Sequence, residues 1–305
     1  MELSHIVRDE IFRPLGDFVV AGVDFSSNAT PTVEVVGDSK RPFFLASVSK
    51  LLSSVGLLVA YEEGLFEYST TVSPLDVPLN AADLLSHASG LPFDLNGVVA
   101  KASIDALLYG KIPCDPSLIT PRLTRRIYSN LGFELVCSFV ERQSGMSHFD
   151  YLQEAIFKPL SMTSVQISES RFLESGPTGG SARMKATADD LVRLVLELYN
   201  PTLFQESTLR FATSPQYEEL SGILPGFGRY EKNTFGLGFE VHGNKRPHWM
   251  SDATSPNAFG HFGASGTFLW FDPLMDRALI FLGESDFGTD HRRLWPILSE
   301  RFVTS

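Results

Sequence analysis

Hydrophobic positions along this chain follow two different periods. Phe18-Val19-Val20-Ala21-Gly22-Val23 is a continuous apolar run, and Thr32-Val33-Glu34-Val35-Val36-Gly37 is a β-branched one bounded by Pro31 and Gly37. Together they predict an early hairpin. Gly266 to Phe271 and Ala278 to Gly283 are two further β-rich runs, joined by Asp272-Pro273-Leu274-Met275-Asp276-Arg277. That connection is short enough for an antiparallel pair. Between these ends the apolar spacing becomes helical. Val48, Leu51, Leu52, Val55, Leu58 and Val59 mark one apolar helix face that stops at Gly64.

Further helices are expected near Asn80 to Leu85 and Leu131 to Val140, and after the capping box Ser147-His148-Phe149-Asp150. A second capping box, Thr187-Ala188-Asp189-Asp190, precedes Leu191, Leu194, Val195 and Leu198 at helical spacing, and a last helix spans about 290–302. Strands at both ends with helices between them predict an α+β fold of the three-layer type. Its antiparallel sheet is built from both chain ends and flanked by helices. Residues 1–65 and 185–305 would form this sheet-and-helix domain, and 66–184 a mostly helical second lobe, with the site in the cleft between them.

Composition narrows the function. The chain has 305 residues, 43% of them hydrophobic, and a formal net charge of -11. A chain so acidic, with no basic cluster larger than Arg125-Arg126 or Arg292-Arg293, repels a phosphate backbone, so nucleic acid is not an expected partner. No apolar run approaches the roughly 18 residues of a membrane span. Met1 to Glu10 carries charge where a secretory signal needs an apolar stretch, so a cytoplasmic location is expected. The two cysteines, Cys114 and Cys137, are expected to be reduced in that compartment. The histidines show no zinc-binding spacing, and neither a metal nor a cofactor is expected.

Three segments carry candidate chemistry. Ser47-Val48-Ser49-Lys50 places a serine and a lysine one helical turn apart at the start of the long apolar helix. A serine hydroxyl becomes nucleophilic when a neighbour takes its proton, and a desolvated lysine can do so. Tyr128-Ser129-Asn130 opens another helix, where Tyr128 and Asn130 either project into a cleft or merely pack and cap. Gly260-His261-Phe262-Gly263-Ala264-Ser265-Gly266 is a glycine-rich approach to a strand, where small residues allow a ligand to pass close to the backbone.

The order and setting of these segments resemble the serine β-lactamase and penicillin-binding-protein superfamily, in particular its class C β-lactamase and esterase branch. Ser47-Val48-Ser49-Lys50 looks like the first motif and Tyr128-Ser129-Asn130 is similar to the Tyr-x-Asn motif. His261-Phe262-Gly263 stands where β-lactamases have Lys-Thr-Gly. The flanks Leu84 to Leu91, Lys158 to Thr163 and Thr187 to Leu191 also resemble the family.

The resemblance implies acyl transfer. Ser47 would attack a carbonyl, Lys50 and Tyr128 would handle its proton as a coupled pair, and Asn130 would orient the substrate. The backbone N–H groups of Ser47 and Ala264, the residue after Gly263, would hold the oxyanion. His261 supplies no fixed cation at pH 7 and Phe262 no hydroxyl, so recognition of a substrate carboxylate should be weak. The expected substrate is therefore a small carboxylic ester rather than a β-lactam or D-amino acid peptide. A β-lactamase or D-amino acid peptidase is the alternative enzyme expectation, and a catalytically silent, ligand-binding or scaffold member the alternative of another class. Phe227, Phe235 and Phe259 are candidate linings for an acyl pocket, and His87 a structural residue of the loop before Gly90.

Overall fold

The computed structural model describes residues 3–27, 30–72, 78–93, 119–167 and 184–305. Cys114 and much of the expected helical lobe lie outside them, whereas Cys137 is buried as a free thiol. In chain order the elements are α1 (Leu3–Val7), β1 (Phe18–Asp24), β2 (Thr32–Val36), β3 (Phe43–Phe44), α2 (Ser49–Glu62), α3 (Ala81–Leu85), α4 (Asn130–Ser144), α5 (His148–Leu152), β4 (Gln166–Ile167) and β5 (Met184–Ala186). They continue with α6 (Ala188–Tyr199), α7 (Glu206–Thr213), β6 (Gly222–Leu224), β7 (Gly228–Tyr230), β8 (Glu240–Val241), β9 (Phe259–Gly263), β10 (Thr267–Asp272), β11 (Arg277–Gly283) and α8 (Thr289–Thr304).

The central sheet runs β2-β1-β11-β10-β9-β8, antiparallel throughout, so the two hairpins read from the sequence meet where β1 pairs with β11. Strand alternation sends side chains to two separate cores. Val19, Ala21 and Val23 of β1, with Ile280 and Leu282 of β11, join the core that contains α2 and α6. Val20, Leu279 and Phe281 point the other way and pack with Leu294, Trp295, Leu298 and Phe302 of α8. Helix, sheet and helix therefore form three layers, as expected.

Two local findings go beyond the apolar spacing. Helix α2 is deeply buried, as expected, and has no exposed face from Ser49 to Ala60. Its polar groups find partners inside, Ser53 with His148 at 3.0 Å and Ser54 donating to the Gly238 carbonyl at 3.1 Å. A helix buried on all sides need not show a one-sided apolar stripe. The second finding is a small sheet, β3-β5-β4, that the spacing of hydrophobic residues did not announce. Its strands have two or three residues each, too short to display a period. It anchors the start of α2, because Leu45 N–H donates to the Met184 carbonyl at 3.0 Å.

Candidate active site

Ser47 sits in a 3₁₀ turn (Ala46–Val48) just before α2, rather than within the helix itself. The chain reverses sharply there: Ala46 adopts φ 45°, a left-handed conformation costly for a residue with a Cβ. What holds it is a set of side chains from the far end of the sequence. Thr267 Oγ1 donates to the Leu45 carbonyl at 3.0 Å and Ser265 Oγ to the Phe44 carbonyl at 2.6 Å. Gly263 lets β9 come this close, since a Cβ there would lie 2.3 Å from the Leu45 oxygen. The small residue thus admits the serine turn.

Lys50, fully buried, donates to Asn130 Oδ1 at 2.7 Å and lies 3.5 Å from Ser47 Oγ. Its ammonium also stands over the rings of Tyr128 and Phe133 at 5.3 and 5.4 Å. The Tyr128 hydroxyl lies 3.0 Å from Ser47 Oγ and 3.3 Å from His261 Nε2. Ser129, not Asn130, caps α4, accepting the Gly132 N–H at 3.2 Å. The Asn130 amide is thereby left to Lys50. Ser47, Lys50, Tyr128, Asn130 and His261 are accordingly joined in one contact network, from three separate stretches of chain.

The histidine tautomers follow from their partners. His261 Nδ1 lies 2.7 Å from the Phe262 carbonyl, which can only accept, so Nδ1 carries the proton and Nε2 offers Tyr128 a lone pair. Burial, reinforced by the Lys50 charge, pushes the His261 pKa down to about 4. His87 Nδ1 accepts the Ser129 N–H at 3.1 Å and its ring lies 4.5 Å from that of Tyr128. Burial, then Lys50, holds it well below the usual histidine range. His87 therefore supports Tyr128 directly, a closer tie to the site than a role in its own loop.

Ser47 opens into a chamber of about 200 Å³ together with Tyr128, His261 and Ala264. Its apolar wall is Phe93, Leu224, Phe262 and Phe287. Of the aromatics expected there, Phe227 packs behind Phe262 and Phe287, with ring centroids 5.8 and 5.9 Å away. Phe235 lies under His87, and Phe259 belongs to the core beside Phe239 and Phe271. Aromatic identity in a Gly/Pro-rich segment did not reveal which way each ring turns.

Glu240 also lines the chamber, and sequence reasoning did not single it out. Its carboxylate is fully buried, accepting from Lys245 at 2.8 Å and His248 at 2.7 Å on Oε1, and from Trp249 at 2.9 Å on Oε2. Burial alone would raise its pKa, but Lys245 and His248 outweigh burial and hold it well below the carboxylate range. The Met250 N–H donates to His248 Nδ1 at 3.1 Å, which leaves the proton on Nε2 and that ring neutral. Glu, Lys, His and Trp within ten residues form no recognised spacing, so nothing in the sequence marked them.

A family model described as Beta-lactamase matches residues 28–300. Among solved structures, a β-lactamase from Mycobacterium bovis aligns with a TM-score of 0.81 at 32% identity, covering 95% of both chains. Simvastatin synthase (LovD) from Aspergillus terreus, in a mutant form, shares the fold at 15% identity, with a TM-score of 0.74 over 99% of this chain and 98% of that one. Curated relatives from Bacillus subtilis include penicillin-binding protein 4*, 28% identical over 43% of this chain and 33% of that protein. An N-acetylmuramyl-L-alanine amidase from the same species is 23% identical over 67% of this chain and 55% of its own length. The chain spans about half the length or less of these curated relatives. Among the described residues no helix is long and apolar enough to cross a membrane.

Proposed function

Because the chain belongs to the Beta-lactamase family, whose model spans residues 28–300, we propose that it is a serine hydrolase of small carboxylic esters, acting through an acyl-enzyme on Ser47. The observation that carries the ester reading is the chamber wall. Where the family's Lys-Thr-Gly would offer a cation and a hydroxyl, His261 is buried and neutral, and Phe262 packs its ring against Phe287 at 4.9 Å. Among the described residues the one charged group in the lining, Glu240, is negative. An apolar acyl group fits there, whereas a carboxylate placed within this chamber would meet no cation among its described lining residues.

In this reading Ser47 Oγ attacks the carbonyl carbon as its proton passes to the Lys50–Tyr128 pair, which accepts it in the form where Lys50 is the neutral amine and Tyr128 the phenol. Lys50 thereby becomes the ammonium and later restores the proton Tyr128 gives up; the Ser47 and Ala264 N–H groups receive the developing oxyanion. His261 is a positioning residue. By accepting the Tyr128 O–H at Nε2, it turns a lone pair of the phenol oxygen toward the Ser47 proton. Tyr128 then returns a proton to the departing alcohol oxygen, and water releases the acid from Ser47 by the same steps in reverse.

The test is intact-mass analysis after exposure to a fluorophosphonate, with hydrolysis of p-nitrophenyl acetate and butyrate measured in parallel. A single adduct and ester turnover are expected in the wild type, with both lost in Ser47→Ala and turnover falling at least about 10³-fold. Turnover that survives Ser47→Ala would overturn the reading, and no adduct or turnover in the wild type would favour a silent, ligand-binding member. A second reading has one observation in its favour, the 32% identity to a protein described as a β-lactamase. Nitrocefin turnover comparable to that of p-nitrophenyl butyrate would select it.

A further inference from the structure

Beside the serine chamber lies a second cavity of about 320 Å³, and the two share Phe93, Tyr128 and Pro225 as a common partition. Their chemistry is opposite in sign. Among the described residues the serine chamber holds Glu240 as its charged lining, whereas the second cavity is bordered by Arg125, Arg126 and Arg229 and by no acidic residue. Three arginines at one cavity stand out in a chain whose net charge is -11.

The arginines differ in how they are held. Arg126 is buried, and its guanidinium donates to the carbonyls of Ser86, Gln216 and Tyr217 without a carboxylate partner among the described residues. Its main chain is fixed as well, with the N–H donating to the Ser221 carbonyl at 2.7 Å. A buried cation paired only with neutral dipoles leaves positive potential around it. Arg125 and Arg229 are exposed at the cavity, Arg125 with one long bond from its guanidinium to Thr120 Oγ1 at 3.4 Å. On the β6–β7 hairpin Arg229 pairs in register with Ile223, which is 63% exposed and lines the same cavity. An aliphatic stretch ending in an anion would match that side-by-side arrangement.

The position of Tyr128 decides which half of a substrate enters. Ser47 lines the first chamber and not the second, so the acyl group it retains stays in the first. The alcohol leaves at the Tyr128 hydroxyl, and Tyr128 borders the second cavity. We propose that the arginine-bordered cavity binds a carboxylate carried by the leaving alcohol, so that the substrate is an ester joining a short apolar acyl chain to a hydroxy acid. This rests on the ester-hydrolase reading and adds to it a second, anion-selective subsite.

The experiment uses two matched esters, the butyrate of 3-(4-hydroxyphenyl)propanoic acid and that of its methyl ester, which differ in the carboxylate while the phenol leaving group stays similar. Their kcat/KM ratio is measured for the wild type and for Arg125→Gln, Arg229→Gln and the double variant. Binding of both esters to Ser47→Ala is measured by calorimetry. The carboxylate ester is expected to be favoured about fivefold per arginine engaged, and the preference to shrink in each variant and with rising salt. A ratio of one or less in the wild type, or a preference untouched by both substitutions, would overturn the subsite. The two failures are distinguishable: Ser47-dependent hydrolysis of the methyl ester without carboxylate preference removes only the subsite. Where neither ester is turned over, equal affinities for Ser47→Ala do the same.

Discussion

Two polar clusters, one fully and one partly buried, face the same chamber and are built in opposite ways. Around Glu240 both carboxylate oxygens are occupied by short bonds, 2.7 to 2.9 Å, from three donors. Around Ser47 the contacts are longer and shared: the Tyr128 hydroxyl faces two acceptors at 3.0 and 3.3 Å, and Lys50 reaches Ser47 at 3.5 Å while bonded more closely to Asn130. A fully satisfied network fixes one arrangement and stiffens the wall. A network whose contacts are long and shared has several arrangements close in energy, which a proton transfer requires. The Glu240 cluster thus reads as scaffold and the Ser47 cluster as machinery, and substitution in each should fail in a different way.

The largest separation is expected from Tyr128→Phe, which keeps the ring against His87 and removes the hydroxyl between Ser47 and His261. Ester turnover should fall by about 10²–10⁴-fold, while the urea midpoint corresponds to a stability change within about 1 kcal/mol. A variant that unfolds more readily but hydrolyses esters at the wild-type rate would reverse the assignment of the two clusters.

Glu240→Ala should show the opposite profile. It leaves Lys245 buried without its counter-ion, a change that typically costs about 3–5 kcal/mol. Equilibrium denaturation in urea should register that loss, with Glu240→Gln intermediate, since an amide retains an oxygen that can accept from Lys245. Unchanged stability in Glu240→Ala would show that Lys245 and His248 find other partners, and the contrast between clusters would collapse.

The legibility of these regions in the sequence follows their physics. Both hairpins could be read because β1, β10 and β11 are six- or seven-residue runs whose side chains are almost all buried, which forces apolar residues into nearly every position. Ser47, Lys50, Tyr128 and Asn130 were legible because their residue types recur at fixed spacing in a known superfamily, not because any period required them. The Glu240 cluster is brought together by an irregular stretch, and its donors come from a main-chain path that no spacing rule describes. The linings of the chamber were misread because strand direction, rather than the presence of phenylalanine, decides that Phe262 faces the site while Phe259 enters the core. The 3₁₀ turn at Ser47 was likewise hidden, since its cause lies in Thr267 and Ser265, more than 200 residues away in the chain.

The smallest effect, and the sharpest probe of how loosely the Ser47 cluster holds its protons, concerns His261. Its pKa in the fold is about 4 against an ordinary 6.5, because burial and then the Lys50 charge oppose protonation. Above pH 4 the ring is neutral and accepts from Tyr128. As pH falls through 4, Nε2 gains a proton and becomes a donor, which turns the Tyr128 lone pair away from Ser47. The acid limb of kcat/KM should therefore lie near pH 4 rather than 6.5. Stability follows a different course: the unfolded histidine binds its proton already at about 6.5, so the folded state loses ground progressively as pH drops from there toward 4. Rates must accordingly be taken within seconds of a pH jump, with circular dichroism confirming that the chain is still folded. In His261→Gln the side-chain amide can still accept from Tyr128 but does not titrate, so turnover near pH 7 should fall less than about tenfold and the limb near pH 4 should disappear. A limb at 6.5 that persists in His261→Gln would assign it to another group and detach His261 from the proton path.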